Sequence, residues 1–325
     1  MERNVKMKNI HLFCLVLLSG LVLMAAGCGS KPEKAAQDLE ENEDLNENND
    51  DAQVEGIASE YGSPEEEAEA TGRDLFFVLY DRIGAQRDLD LVQDARTYKS
   101  KVTTADTEYV TVSDANYINT LDLTTVSYNP TEQQDWQFDG TNATGRIQTY
   151  SDGKVCIDET LNIIGDKMYS DVTFIDGDTS EETKQLKSTS EEDEDCDYAR
   201  YDLNGEGKAL FCSAFEGSMK AEEASTEGSV ITADTQVEKT ADGYKMSIVS
   251  VNKMAMDGAP NPDVTKMLVN MDVDSSYRIT HYDIYSVHQD YQLTVYGTWE
   301  SGDLEHGASV SAIAEPADAS EYTAE

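Results

Sequence analysis

Few side chains in this chain could do covalent or acid–base chemistry, and their spacing argues against an active site. Four histidines occur among 325 residues: His11, His281, His288 and His306. His11 stands in an apolar N-terminal run. Seven residues separate His281 from His288, so strand alternation sends them to opposite faces and denies them a shared metal. His306 falls in an expected turn. The five cysteines, Cys14, Cys28, Cys156, Cys196 and Cys212, contain no C-x-x-C pair. That removes a thioredoxin-like centre and a zinc ribbon. No G-x-S-x-G elbow, H-E-x-x-H, P-loop or G-x-G-x-x-G is present. Carboxylates abound, 65 Asp and Glu against 24 Lys and Arg. At that density a pair at catalytic distance arises by chance and identifies no enzyme. The chain reads as a non-enzyme without a cofactor. Two segments keep a specific chemistry. Asp176, Asp178, Glu181 and Glu182, then Glu191-Glu192-Asp193-Glu194-Asp195 and Asp197, cluster the hard oxygen ligands that calcium takes. They lack the Gly and Glu spacing of an EF-hand, and the plainer reading is a solvated acidic loop. The other segment ends in Cys28.

Arg3, Lys6 and Lys8 precede an apolar run from Ile10 to Met24, and Ala25-Ala26-Gly27-Cys28 closes it. This is a positive n-region, an h-region and a small-residue cleavage site. The run of 15 residues is short against the ~20 that cross a bilayer. The segment resembles the bacterial lipoprotein signal with its lipobox. Ala26 and Gly27 fit that pattern, and Ala25 stands where Leu is preferred. The resemblance implies cleavage before Cys28, acyl groups on Cys28, and a chain held by them on the extracytoplasmic side of the cell membrane. An uncleaved anchor, the alternative, leaves the rest of the chain on the same side. Cys156, Cys196 and Cys212 then remain, enough for at most one internal disulfide, whose connectivity spacing does not set.

Formal net charge is −41, and loss of Arg3, Lys6, Lys8 and Glu2 with the signal brings it to −43. Such a polyanion is repelled by nucleic acid and by anionic head groups. Nucleic acid is excluded as a partner, and membrane attachment falls to the acyl chains rather than a basic patch. Soluble partners are cations, cationic peptides or neutral molecules.

The organisation follows from composition and period. Residues 1–27 are the signal peptide. Residues 28–62 are an acidic tether with too little apolar surface to offset its ordering entropy. A globular part spans 63–318, and 319–325 form a small acidic tail expected to fray. Ser63-Pro64-Glu65-Glu66 is a capping box. It opens a helix with Leu75, Phe76, Val78, Leu79, Tyr80, Arg82 and Ile83, expected to end at Gly84. A second helix is expected over Asp88–Tyr98. From Thr107 the period becomes two, with strands at 108–112 and 121–124. The clearest hairpin alternates Val155, Ile157, Leu161 and Ile163, turns at Gly165-Asp166, and returns through Met168, Val172 and Phe174. Residues 176–197 break the pattern. A strand at 208–215 and a connection at 216–228 follow. A second hairpin turns at Asp242-Gly243. Asn261-Pro262 then opens an expected short helix, with Val264, Met267, Leu268 and Met271 at helical spacing. A closing Tyr-rich hairpin places Tyr277, Ile279, His281, Asp283 and Tyr285 on one face, Tyr282 and Ile284 on the other, and alternates again from Tyr291 to Trp299.

One-sided polarity along these strands implies an α+β fold, an antiparallel sheet covered by a few helices. Element order and the closing Glu315-Pro316-Ala317-Asp318-Ala319 resemble the LolA/LppX-like lipoproteins over residues 63–318. The resemblance implies a curved half-barrel with an apolar groove that binds a lipid or other hydrophobic molecule. The alternative is a cell-envelope protein-interaction or cation-binding module that uses the acidic surface.

Overall fold

The computed structural model describes residues 64–92, 97–165, 167–188 and 228–324. Cys28 and its lipobox, the tether, Ser63, the acidic run 189–197, the expected strand at 208–215, and Cys196 and Cys212 lie outside the described residues. Two helices lead: α1, Pro64–Glu69, and α2, Gly72–Val92. The start at Pro64 agrees with the capping pattern. Gly72, at φ 55°, makes the joint between the helices, a conformation that glycine adopts without a Cβ clash. The helix does not stop at Gly84, and the separate helix over 88–98 is not formed; α2 continues to Val92 and Tyr98 opens a strand. An interior glycine costs a helix only about 1 kcal/mol. Burial of Leu75, Phe76, Leu79 and Ile83 outweighs that. Among the described residues no helix is long and apolar enough to cross a membrane.

One large, open, curved sheet takes up the rest. Its strands are β1 (Tyr98–Asp106), β2 (Val110–Thr111), β3 (Asn129–Phe138), β4 (Ala143–Ser151), β5 (Lys154–Ile164), β6 (Lys167–Asp176), β7 (Thr179–Ser188), β8 (Gly228–Ile231), β9 (Gln236–Lys239), β10 (Gly243–Met254), β11 (Asp263–Asp274), β12 (Ile279–Gln289), β13 (Thr294–His306) and β14 (Thr323–Ala324). The order is β14-β7-β6-β5-β4-β3-β1-β13-β12-β11-β10-β8, with β2 on β13 and β9 on β10. Two meanders, β3–β7 and β8–β13, meet at β1, which pairs with β13 on one side and β3 on the other. Neighbours are antiparallel except for β14 on β7, so the sheet is mixed. Bulges interrupt β1–β3 at Thr104/Ala105 and β4–β5 at Thr149/Tyr150, and such irregularities bend and coil strands.

Alternation assigns the two faces. Tyr244, Met246, Ile248, Val269, Met271, Val273, Tyr282 and Leu304 cluster with Leu75, Phe76, Leu79 and Ile83 of α2. The opposite face of the same strands carries Val251, Leu268, Tyr285, Val287 and Val295, which form a second cluster. The helix-side face continues across the seam into the first meander, where Trp136, Ala143, Leu161 and Ile163 make a third.

Several expectations are corrected here. The helix expected after Asn261-Pro262 is β11, paired along its length with β10 and β12. Its residues also fit a period of two, with Val269, Met271 and Val273 buried, and ladder pairing decides. Residues 121–124 form no strand; Asp122 accepts from Thr124 N at 3.1 Å and caps a short 3-10 turn, Leu123–Thr125. Of the expected strand at 108–112 only Val110–Thr111 pairs. Within the acidic segment 176–197, residues 179–188 are β7 rather than loop. Tyr291 and Leu293 lie in the turn before β13, because Asp290 accepts from the amides of Gln292 and Thr294 at 2.9 and 2.8 Å. The expected face assignment fails at Ile279, which joins Tyr282 on the helix side. The register passes over Thr280 there and shifts the phase by one. His306 ends β13 instead of sitting in a turn. Residues 319–324 carry secondary structure. A 3-10 turn at Ala319–Glu321 leads into β14, Lys184 of β7 binds Asp318, and Tyr322 packs edge-on to Tyr169 at 5.3 Å.

Candidate functional site

On the face opposite the helices, residues 107–126 form a strap across β11–β13. It originates where the chain leaves the sheet between β1 and β2. Both strands pair with β13, but Thr107–Tyr109 drop out of the ladder. Thr107 N donates to Gly297 O at 2.9 Å, and Gly297 N to Thr107 Oγ1 at 2.7 Å. Beyond β2, Asp114 caps a turn by accepting from Asn116 N at 2.9 Å. A single helical turn, α3 (Tyr117–Thr120), follows. Gln289, at the end of β12 and only 1% exposed, secures it. Its Nε2 donates to Ala115 O at 2.9 Å and its Oε1 accepts from Ile118 N at 3.3 Å. Ile118 and Leu123 insert beside Val264, Val287 and Val295. Lys266 Nζ donates to Leu121 O at 2.9 Å.

Under this strap lies a half-open recess of about 100 Å³. Val287 and Val295 line it from the sheet, Val110, Tyr117, Leu121 and Val126 from the strap, with Thr107, Glu108 and Gly297 completing it. Glycine at 297 keeps it open: a Cβ there would stand 3.1 Å from Val287 Cγ2 and 3.5 Å from Thr107 Cγ2. Part of the strap is apolar and exposed. Four large hydrophobic residues are exposed among those described, and three belong to the strap: Tyr109 (72%), Val110 (54%) and Tyr117 (37%). On the other face of β13 from Val295 and Gly297, Tyr109 stacks on Tyr296 with ring centroids 4.6 Å apart and planes 13° from parallel. Burial, with Asp106 and Tyr109 nearby, pushes the Tyr296 phenol up to about 12, so it stays a neutral ring at physiological pH.

Along the recess face runs a row of aromatic and charged groups. Tyr128 packs on Tyr285 at 6.1 Å and Tyr285 on Trp299 at 6.4 Å. Trp299 Nε1 donates to Asp283 Oδ1 at 3.3 Å. The other oxygen of Asp283 is 3.3 Å from His281 Nε2, and Asp303 Oδ1 is 2.7 Å from His281 Nδ1. Burial works against protonating this ring, but two carboxylate hydrogen bonds outweigh it and raise its pKa above 6.5. The folded state therefore binds this proton more tightly than the unfolded chain. The resulting stabilisation is fully present below pH 6.5 and fades as pH rises through the raised folded value. In an NMR titration the His281 ring should titrate above 6.5, and Asp303→Asn should lower its midpoint. An unchanged midpoint would refute the assignment to Asp303.

The structure does not bring His281, His288 and His306, the described histidines, together. His288 Nδ1 lies 3.1 Å from Thr265 Oγ1, and His306 Nε2 lies 2.9 Å from Ile279 O. The regular β12–β13 register over 281–289 places His281 and His288 on opposite faces, as alternation requires. Among the described residues no three His, Cys, Asp or Glu side chains are grouped to hold a metal. Asp176, Asp178, Glu181 and Glu182 are exposed. Cys156 is a free, half-buried thiol whose pKa burial raises, the opposite of nucleophile activation.

The sequence reading missed the strap, having taken 108–112 as strand. Two signals were there to find it. Tyr109 and Val110 are adjacent large apolar residues, which alternation on a one-sided sheet does not allow, and Asp114-Ala115-Asn116 is a turn sequence immediately after them. No protein-family model matches this chain, and no curated protein matches it either.

Proposed function

We propose that this chain is a lipid-anchored extracytoplasmic protein that binds rather than catalyses. Acyl groups on Cys28 hold it to the cell membrane, and a LolA/LppX-like sheet domain receives a hydrophobic ligand. The observation that carries the binding role is the recess under the strap, apolar within and lined in part by exposed Val110 and Tyr117. A concave apolar recess with a few polar groups at its edge is the usual form of a small-molecule site. Its size sets the scale of the ligand. A cavity of about 150 Å³ takes benzene, and drug-sized pockets begin near 300 Å³. A recess of about 100 Å³ takes a short chain or part of a small ring, with the remainder of the ligand lying against exposed Val110 and Tyr117. Side chains of α2 pack directly on the sheet, which favours the strap side for the ligand.

Two measurements on the full chain test this reading. Metabolic labelling with palmitate should mark the wild-type chain and not Cys28→Ser; equal labelling or none removes the anchor. In nanodiscs, with empty discs as reference, calorimetric titration with a small aromatic such as 2-phenylethanol or 2-phenylethylamine should give saturable one-site binding. Val126→Trp, which fills the recess, should abolish it with the circular dichroism unchanged. Absence of saturable binding by either compound removes the binding role.

A further inference from the structure

We infer that the ligand of this recess is a small organic cation, an apolar ring or short chain that carries a protonated amine. The inference rests on the binding role proposed above and adds the chemical class. Glu108 is the one charged side chain among the residues that line the recess. It is exposed and has no ion-pair partner among the described residues. It sits where the chain steps out of the ladder between β1 and β2, one residue from Thr107, whose hydroxyl is already held by Gly297 N. A competing cation at the strap is Lys266. Its ammonium donates to Leu121 O at 2.9 Å and reaches Asn119 O at 3.5 Å, so its charge is engaged in securing the strap. Tyr117, part of the lining and of the exposed lip, offers a ring face of the kind that attracts ammonium groups. The wider field has the same sign. At a net charge of −41 the surface raises the local concentration of cations and lowers that of anions. A fatty acid or other apolar anion would enter against both Glu108 and this field. A neutral aromatic would gain the apolar contacts alone.

The test uses one apolar body with three charges, titrated into the full chain in nanodiscs: 2-phenylethylamine, 2-phenylethanol and phenylacetate. The amine should bind about fivefold tighter than the alcohol, the scale of one exposed charge pair, and phenylacetate should bind weakest. Glu108→Gln, on an exposed side chain, should bring the amine down to the affinity of the alcohol. Raising salt to 0.5 M should shrink the advantage of the amine. If the alcohol binds as well as the amine, or Glu108→Gln leaves the amine unchanged, the cation assignment is overturned while the apolar recess stands. If none of the three binds, the binding role falls with it.

Discussion

Replacing Glu67 with alanine lowers the unfolding free energy by about 3–5 kcal/mol, the cost of breaking a buried ion pair from one side. Glu67 stands in α1, a helix of six residues, too short to hold itself in water. What holds it is one carboxylate with several partners. Glu67 pairs with the guanidinium of Arg82, whose side chain is 1% exposed, and with Lys239 Nζ at 3.3 Å. The hydroxyl of Tyr244 donates to it, and that of Tyr277 reaches it at 3.3 Å. Arg82 Nη1 also donates to Tyr277 OH at 3.0 Å and lies over that ring, 5.5 Å from its centroid. Without the carboxylate, Arg82 stays buried and loses the ion pair with Glu67. Replacing both residues together by methionine should recover most of the loss, because an apolar pair of similar volume tolerates the site. Urea unfolding of the two variants measures this. A single substitution costing under 1 kcal/mol would show that water reaches Arg82 and that the cluster is not a clamp.

Trp136→Ala costs a comparable amount, about 3–5 kcal/mol, for a different reason. The first meander has a small core, Trp136, Ala143, Leu161 and Ile163, and no helix residue belongs to it. One indole supplies much of its apolar area. Trp136 is 5% exposed and lies across Gly145, its cross-strand partner on β4. A Cβ at 145 would fall 2.1 Å from the ring, so the glycine is the seat of the indole. Its Nε1 donates to Gln134 Oε1 at 2.8 Å, which fixes the ring in plane. Gly145→Ala should therefore also destabilise, by about 1–3 kcal/mol through overpacking. Hydrogen exchange separates this from a global effect. Amides of β3–β6 should lose protection in Trp136→Ala while those of β10–β12 keep theirs. Uniform loss across both meanders would contradict a separate core.

How far the sequence reveals this fold depends on where each segment gets its pairing instruction. The β5–β6 and β12–β13 hairpins are legible because alternation and a short turn are local. Val155, Ile157, Leu161 and Ile163 alternate, and Gly165 turns the chain at φ 57°. β11 misleads because Val264, Met267, Leu268 and Met271 satisfy a helical period by coincidence, while Val269 and Val273 complete a strand. β3 is barely legible: Thr131, Glu132, Gln133, Gln134, Asp135 and Gln137 offer no apolar face, and only its ladders with β1 and β4 make it a strand. The strap of the candidate site is hidden for a similar reason. Gln289 holds Ile118 from 171 positions away, and nothing near Ile118 announces that partner. Glu108 reads from sequence as one acid among 65; only the recess beside it singles it out.

The position of β1 has a consequence for how the molecule comes into being. The earliest strand of the sheet pairs with one of its last, Tyr98 opposite His306 and Val102 opposite Gly302. A polypeptide delivered from its N-terminus can zip up the first meander as it emerges, but one flank of β1 must wait for some two hundred further residues. Through that interval a bare strand edge is open to any extended chain nearby. Closing so distant a contact is intrinsically slow, which makes the arrival of β13 the step that turns two half-sheets into one.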